Sequence, residues 1–144
     1  MTAYLLDVNV LVALVRPQQP QHRKAIEWFR SIRGSHWATC PLTEAGLVRI
    51  ASKPQFTTVK LTVSDVVTML TELMKLPGHR FWPIDFGFAE AAAGFEGRFF
   101  GHQQVTDLYL LSLAIKHKAM LATFDQGIAA LAGTEYRKHL LLLS

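Results

Sequence analysis

Four acidic residues stand in stretches where acids are seldom found. Asp7 ends an apolar run, in Leu5-Leu6-Asp7-Val8-Asn9-Val10. Asp107 lies inside the most apolar segment, in Val105-Thr106-Asp107-Leu108-Tyr109-Leu110. Asp125 closes Leu121-Ala122-Thr123-Phe124-Asp125, and Glu44 follows Pro41 in Cys40-Pro41-Leu42-Thr43-Glu44-Ala45. Acids ordinarily occupy solvated faces, so each of these needs a reason. If all four share one crevice they repel one another, at about 4 kcal/mol per pair at ~4 Å and an effective dielectric near 20. A cluster of that kind persists when a cation neutralises it, and an all-oxygen donor set selects a hard divalent ion, Mg²⁺ or Mn²⁺. Each acid also has a simpler reading on its own. Asp7, Asp125 and Asp107 suit helix N-caps, and Glu44 suits a first-turn acid that complements a helix dipole.

The elements that would position these residues alternate between strand and helix. Tyr4–Leu6 reads as a short buried strand and Val8–Val15 as a helix stopped by Pro17 and Pro20. A helix over 21–33 follows, closed by Gly34, then a strand at Trp37–Cys40 and a helix from Pro41 to about Lys53. Pro54–Leu61 reads as a loop and Thr62–Leu76 as an amphipathic helix ended by Pro77-Gly78. The pattern then predicts a strand at Phe81–Ile84, a helix at Phe86–Phe95 and a turn at Gly97–Gly101. Val105–Lys118 is apolar nearly all round, which predicts a central helix. A strand at Ala119–Phe124, a short helix at Gln126–Leu131 and a last strand at Leu140–Leu143 complete the set. Alternation of this kind implies an α/β fold with a mostly parallel sheet. Each of the four acids follows the carboxyl end of a predicted strand or begins a helix, and in open α/β sheets those ends converge on one ligand crevice.

Composition narrows the alternatives. The chain has 144 residues, a length that suits a single domain over 1–144. Half its residues are hydrophobic, which argues against a disordered chain. A single cysteine, Cys40, excludes an internal disulfide and a multi-cysteine zinc site, and fits a cytoplasmic setting. No stretch has the ~20 apolar residues of a membrane span, and no basic signal-peptide start is visible. The net charge of +4 points mildly to an anionic partner. Arg16, Arg49 and Arg98 are candidates for contact with a nucleic-acid backbone. No Gly-x-Gly-x-x-Gly follows the first strand, so dinucleotide binding is not expected. His22, His36, His79, His117 and His139 have no ligand spacing and are expected in ordinary roles, while His102 adjoins the Asp107 segment.

Taken in order, four segments resemble the acidic motifs of the PIN-domain ribonucleases, and within them of the VapC toxins of bacterial toxin–antitoxin pairs. The segments are Tyr4–Leu11 around Asp7, Cys40–Arg49 around Glu44, Gly101–Leu111 around Asp107, and Leu121–Gly127 around Asp125. The resemblance spans nearly the whole chain. It implies an α/β/α sandwich around a parallel sheet, metal-dependent endonucleolytic cleavage of RNA, a homodimer, and inhibition by a cognate VapB-type antitoxin. On that reading Asp7 and Asp107 are the main metal ligands. Glu44 and Asp125 act directly or through water, and Asn9 and Thr123 orient them. The rival readings are a PIN nuclease outside toxin–antitoxin systems, a non-catalytic PIN-like interaction module, and a metal-dependent phosphatase on a similar sheet.

Overall fold

A computed structural model describes residues 2–54, 59–98 and 101–144. Five parallel strands form one sheet: β1 (Ala3–Leu6), β2 (His36–Thr39), β3 (His79–Phe81), β4 (Met120–Thr123) and β5 (Leu140–Leu142). Their order is β3-β2-β1-β4-β5, so the first strand is the central one. The connecting helices are α1 (Val8–Val15), α2 (His22–Ser31), α3 (Pro41–Ala51), α4 (Val63–Met74), α5 (Phe88–Ala93), α6 (Val105–Lys116) and α7 (Ile128–Ala132).

Side chains alternate across each strand, and both faces of this sheet are covered. Leu5 and Leu121 point into one core, packed with Leu110, Leu111 and Leu113 of α6 and Ala91 of α5. Leu6 and Trp37 point into the other, with Val10 and Leu11 of α1, Ala25 of α2, Leu47 of α3 and Val66 of α4. This is why Tyr4–Leu6 reads as a continuous apolar run rather than as an alternating one. The result is the α/β/α sandwich expected from the sequence.

Most element limits move by a residue or two from expectation, and three of the shifts have a visible cause. The third strand lies at His79–Phe81, two residues before the predicted Phe81–Ile84. Its ladder ends with the Trp82 N–H donating to Thr39 O at 2.8 Å, and Pro83 has no N–H with which to continue. The fifth helix is shorter than predicted because it starts after Gly87 and stops at Gly94. The sixth stops at Lys116, and Lys118 reverses the chain at φ 54° before β4. Parts of the predicted loop Pro54–Leu61 and of the turn Gly97–Gly101 lie outside the described residues.

Arg16 is not available to a nucleic acid. It is 1% exposed, and its guanidinium donates from Nη1 to Ala51 O and from Nη2 to Val59 O, each at 3.1 Å. It therefore ties the end of α1 to the end of α3 and to the segment beyond it. Hydrogen bonds from a charged donor contribute about 1.5–3 kcal/mol each. Arg16→Met is accordingly expected to cost about 3 kcal/mol, or roughly 10 °C in Tm, in denaturant and thermal unfolding. Unchanged stability would show that the strut carries no weight. Arg98 is likewise committed, paired with Glu135 at 2.6 Å and lying over the Tyr136 ring at 5.2 Å.

Candidate active site

The β1 and β4 strands are neighbours whose following helices pack on opposite faces of the sheet. Asp7 and Asp125 leave their carboxyl ends, the crevice where open α/β sheets bind ligands. Asp7 is the N-cap of α1, with φ −64° and ψ 158°, and its Oδ1 accepts from the Val8 N–H at 2.7 Å. Its capping role and its place in the cleft are therefore both realised. It is 6% exposed.

Thr123, the last residue of β4 and fully buried, organises this end of the sheet. Its hydroxyl donates to Asp7 Oδ2 at 2.8 Å. The same oxygen accepts from Asn9 Nδ2 at 3.2 Å and from the Asp125 N–H at 3.0 Å. Asn9 Oδ1 in turn accepts from the Phe124 N–H at 3.2 Å. Asp125 is exposed, and its Oδ1 is held by the Gly127 N–H at 2.8 Å. Thr123→Val keeps the volume but leaves Asp7 Oδ2 without its buried donor. Loss of an orienting partner of this kind typically lowers activity 10–100-fold. A 10–100-fold drop in kcat with the fold intact is expected for Thr123→Val, checked by steady-state kinetics and circular dichroism.

Asp107 enters from the other side of the sheet, in the first turn of α6. Gln104 ties that helix start to the loop beyond Asp125, donating from Nε2 to Gly127 O at 3.3 Å. Asp7, Asp107 and Asp125 line one cleft of about 270 Å³, together with Asn9, Gln19 and Gln21. Gln19 and Gln21 fall in the loop after α1, where nothing in the sequence marks them. His102 is exposed in a 3-10 turn and does not line the cleft.

The electrostatics follow from this convergence. Burial, with the charges of Asp7 and Asp125 added, pushes the Asp107 carboxyl up from 3.8 to about 7. Burial also raises Asp7, against the lowering effect of its bonds to Thr123 and Val8, and Asp125 raises it further. The ion pairs among the described residues lie elsewhere and leave these three acids uncompensated.

Glu44 is placed differently. It sits in the first turn of α3, outside the residues that line the aspartate cleft, and its Oε2 accepts from Thr39 Oγ1 at 2.7 Å. The middle of α3 nonetheless lies hard against the start of α1. A β-carbon on Gly46 would come within 2.6 Å of Val8 Cγ2, so only glycine permits this approach.

The donor set can be tested against a divalent cation. Among the described residues no group of three or more His, Cys, Asp or Glu side chains stands in an arrangement that could hold a metal ion. The fit lies in the chemistry: the three carboxylates offer oxygen donors only, share one opening and carry uncompensated charge. That is the environment a hard cation relieves.

The chain belongs to the PIN-domain family, whose family model matches residues 4–134. Its relatives include Ribonuclease VapC39 of Mycobacterium tuberculosis, 41% identical over 129 residues that cover 90% of this chain and 92% of the relative. Ribonuclease VapC38 of the same organism is 39% identical over 128 residues, 89% of each chain. Among solved structures, VapBC2 from Rickettsia felis bound to a promoter DNA fragment superposes with a TM-score of 0.62 at 17% identity, covering 99% of this chain and 100% of that one. FitAcB from Neisseria gonorrhoeae gives 0.59 at 24% identity, with 88% and 92% covered.

Proposed function

We propose that this chain is a divalent-metal-dependent endoribonuclease, the toxin of a type II toxin–antitoxin pair, built as one PIN unit over 1–144. The observation that carries the reading is the meeting of Asp7, Asp107 and Asp125 in one cleft, with no ion-pair partner among the described residues. The relatives named as VapC ribonucleases support the same activity. Asp7 and Asp107 hold the ion, with Mg²⁺ expected and Mn²⁺ as a substitute. When bound, such an ion neutralises the carboxylates, makes a water more acidic and offsets charge on the phosphoryl oxygens.

The remaining work falls to the side chains. Thr123 and Val8 hold both oxygens of Asp7, so its orientation is set before substrate arrives. Asp125 is exposed and anchored by Gly127; it binds the ion directly or through water, and it or Glu44 accepts the proton of the attacking water. Glu44, held by Thr39 outside the residues that line the cleft, acts directly or through water.

The partner reading has its own support. An apolar groove of about 410 Å³ is lined by Phe29, Ile32, Trp37 and Leu76. Val63 and Val67 are exposed on α4. Such a surface suits an amphipathic antitoxin segment, and the VapBC2 and FitAcB structures show related folds. A homodimer and a cytoplasmic location complete the proposal; among the described residues no helix is long and apolar enough to cross a membrane.

The test is cleavage of total bacterial RNA with mapped ends. Internal cuts in Mg²⁺, their loss in EDTA and their suppression by the protein of an adjacent short reading frame are the expected results. Cleavage without such a frame places the chain among PIN nucleases of RNA processing. Hydrolysis of small phosphomonoesters alone makes it a phosphatase.

A further inference from the structure

A second polar constellation lies one strand away from the aspartate cleft. Thr39 is fully buried at the end of β2 and touches two partners at once. Its Oγ1 stands 2.7 Å from Glu44 Oε2 and 2.8 Å from His79 Nε2. A hydroxyl has one hydrogen to give, and an ionised carboxylate only accepts. The hydroxyl hydrogen therefore goes to Glu44, and His79 donates its Nε2–H to the hydroxyl oxygen. The geometry thus assigns the tautomer of His79 and makes a directed chain, Nε2–H to Oγ1–H to Oε2, whose members polarise one another.

Local structure sets each member of this chain. The Cys40 N–H donates to Thr43 Oγ1 at 3.0 Å, and Pro41 opens α3, which fixes the turn that carries Glu44. Parallel pairing sets His79 opposite Trp37, and their rings pack at 4.7 Å. Gly78 enters β3 at φ +89°, where a β-carbon would lie 2.5 Å from Ser35 O, so the approach that brings His79 to Thr39 needs glycine. Burial, opposed by the Glu44 charge and aided by Arg80, holds His79 below the ordinary imidazole range. It is neutral at neutral pH, with one ring N–H to donate.

We propose that His79 is a positioning residue for Glu44, acting through Thr39, which fixes Oε2 and leaves Oε1 to serve the reaction. The proposal rests on the reading of Glu44 as part of the nuclease site. Its test combines rate, rescue and tautomer on the full chain, with an RNA oligonucleotide spanning a mapped cut. His79→Phe and Thr39→Val are each expected to lower kcat about tenfold, the worth of one such hydrogen bond, with KM unchanged. His79→Gln recovers most of the rate, because its amide N–H replaces Nε2–H. The double variant Thr39→Val/His79→Phe is no slower than Thr39→Val alone. Nitrogen-15 spectra of the wild-type imidazole show His79 protonated at Nε2. A His79→Gln as slow as His79→Phe, additive losses in the double variant, or protonation at Nδ1 overturns the proposal. Glu44→Gln separates it from the nuclease reading on which it rests. Full activity there removes Glu44 from the reaction, whereas an inactive Glu44→Gln beside an unimpaired His79→Phe leaves that reading standing and refutes the part assigned to His79.

Discussion

Asp107→Asn is expected to lower RNA cleavage about a thousandfold or more and, in EDTA at pH 8, to melt several degrees higher than the wild type. The loss follows from removing a charged oxygen from the centre of the cleft, an electrostatic contact of the size that single deletions in active sites reveal. The gain follows from the same charge. The Asp107 carboxyl is raised from 3.8 to about 7 by burial and by Asp7 and Asp125. Between those two values the folded protein binds more protons than the unfolded chain, so stability falls as pH rises through that window and levels off above it. Asparagine has nothing to titrate and escapes the loss. The stability difference between variant and wild type should therefore vanish below pH ~4 and grow towards neutrality. Thermal scans from pH 4 to 8 check this. Full activity, or equal Tm at pH 8, removes Asp107 from the metal centre.

The second large effect concerns the ion itself. Millimolar Mg²⁺ is expected to raise the wild-type Tm at pH 8, because a ligand that binds only the folded state stabilises it by mass action. At a hundredfold excess over Kd that amounts to about 2.7 kcal/mol, roughly 8–10 °C for a chain of this size. At pH 5 Asp107 retains its proton, which the ion must displace, and the shift shrinks. In Asp107→Asn it disappears. A pH-independent shift, or none with saturation checked, speaks against a carboxylate-held cation.

Most of the architecture is legible in the sequence because it rests on short-range patterns. Continuous apolar runs mark β1 and β4 as buried on both faces, and Pro41 marks the start of α3, whereas α2 ends at Ser31, short of Gly34. The third strand falls earlier than the pattern suggests. Phe81, Trp82 and Ile84 carry the apolar signal, while the ladder is set by backbone pairing of Trp37 with His79. Phe81 itself is half exposed on this edge strand. The three aspartates are legible as acids in apolar surroundings. The place of Glu44 is not, since it depends on a hydroxyl five residues earlier and a histidine from another strand. His79 carries no spacing signal at all. Arg16 has the sequence signature of a surface base, and only its partners, 35 and 43 residues away along the chain, make it an internal tie.

The bond between Thr123 and Asp7 joins residues 116 positions apart in the chain. Its consequence is temporal. A polypeptide emerging from the ribosome displays Asp7 early, and Thr123 and Asp125 leave it more than a hundred residues later. If the cleft cuts RNA as proposed, the nascent chain stays harmless beside the RNA that is decoding it until β4 has been made and has docked beside β1.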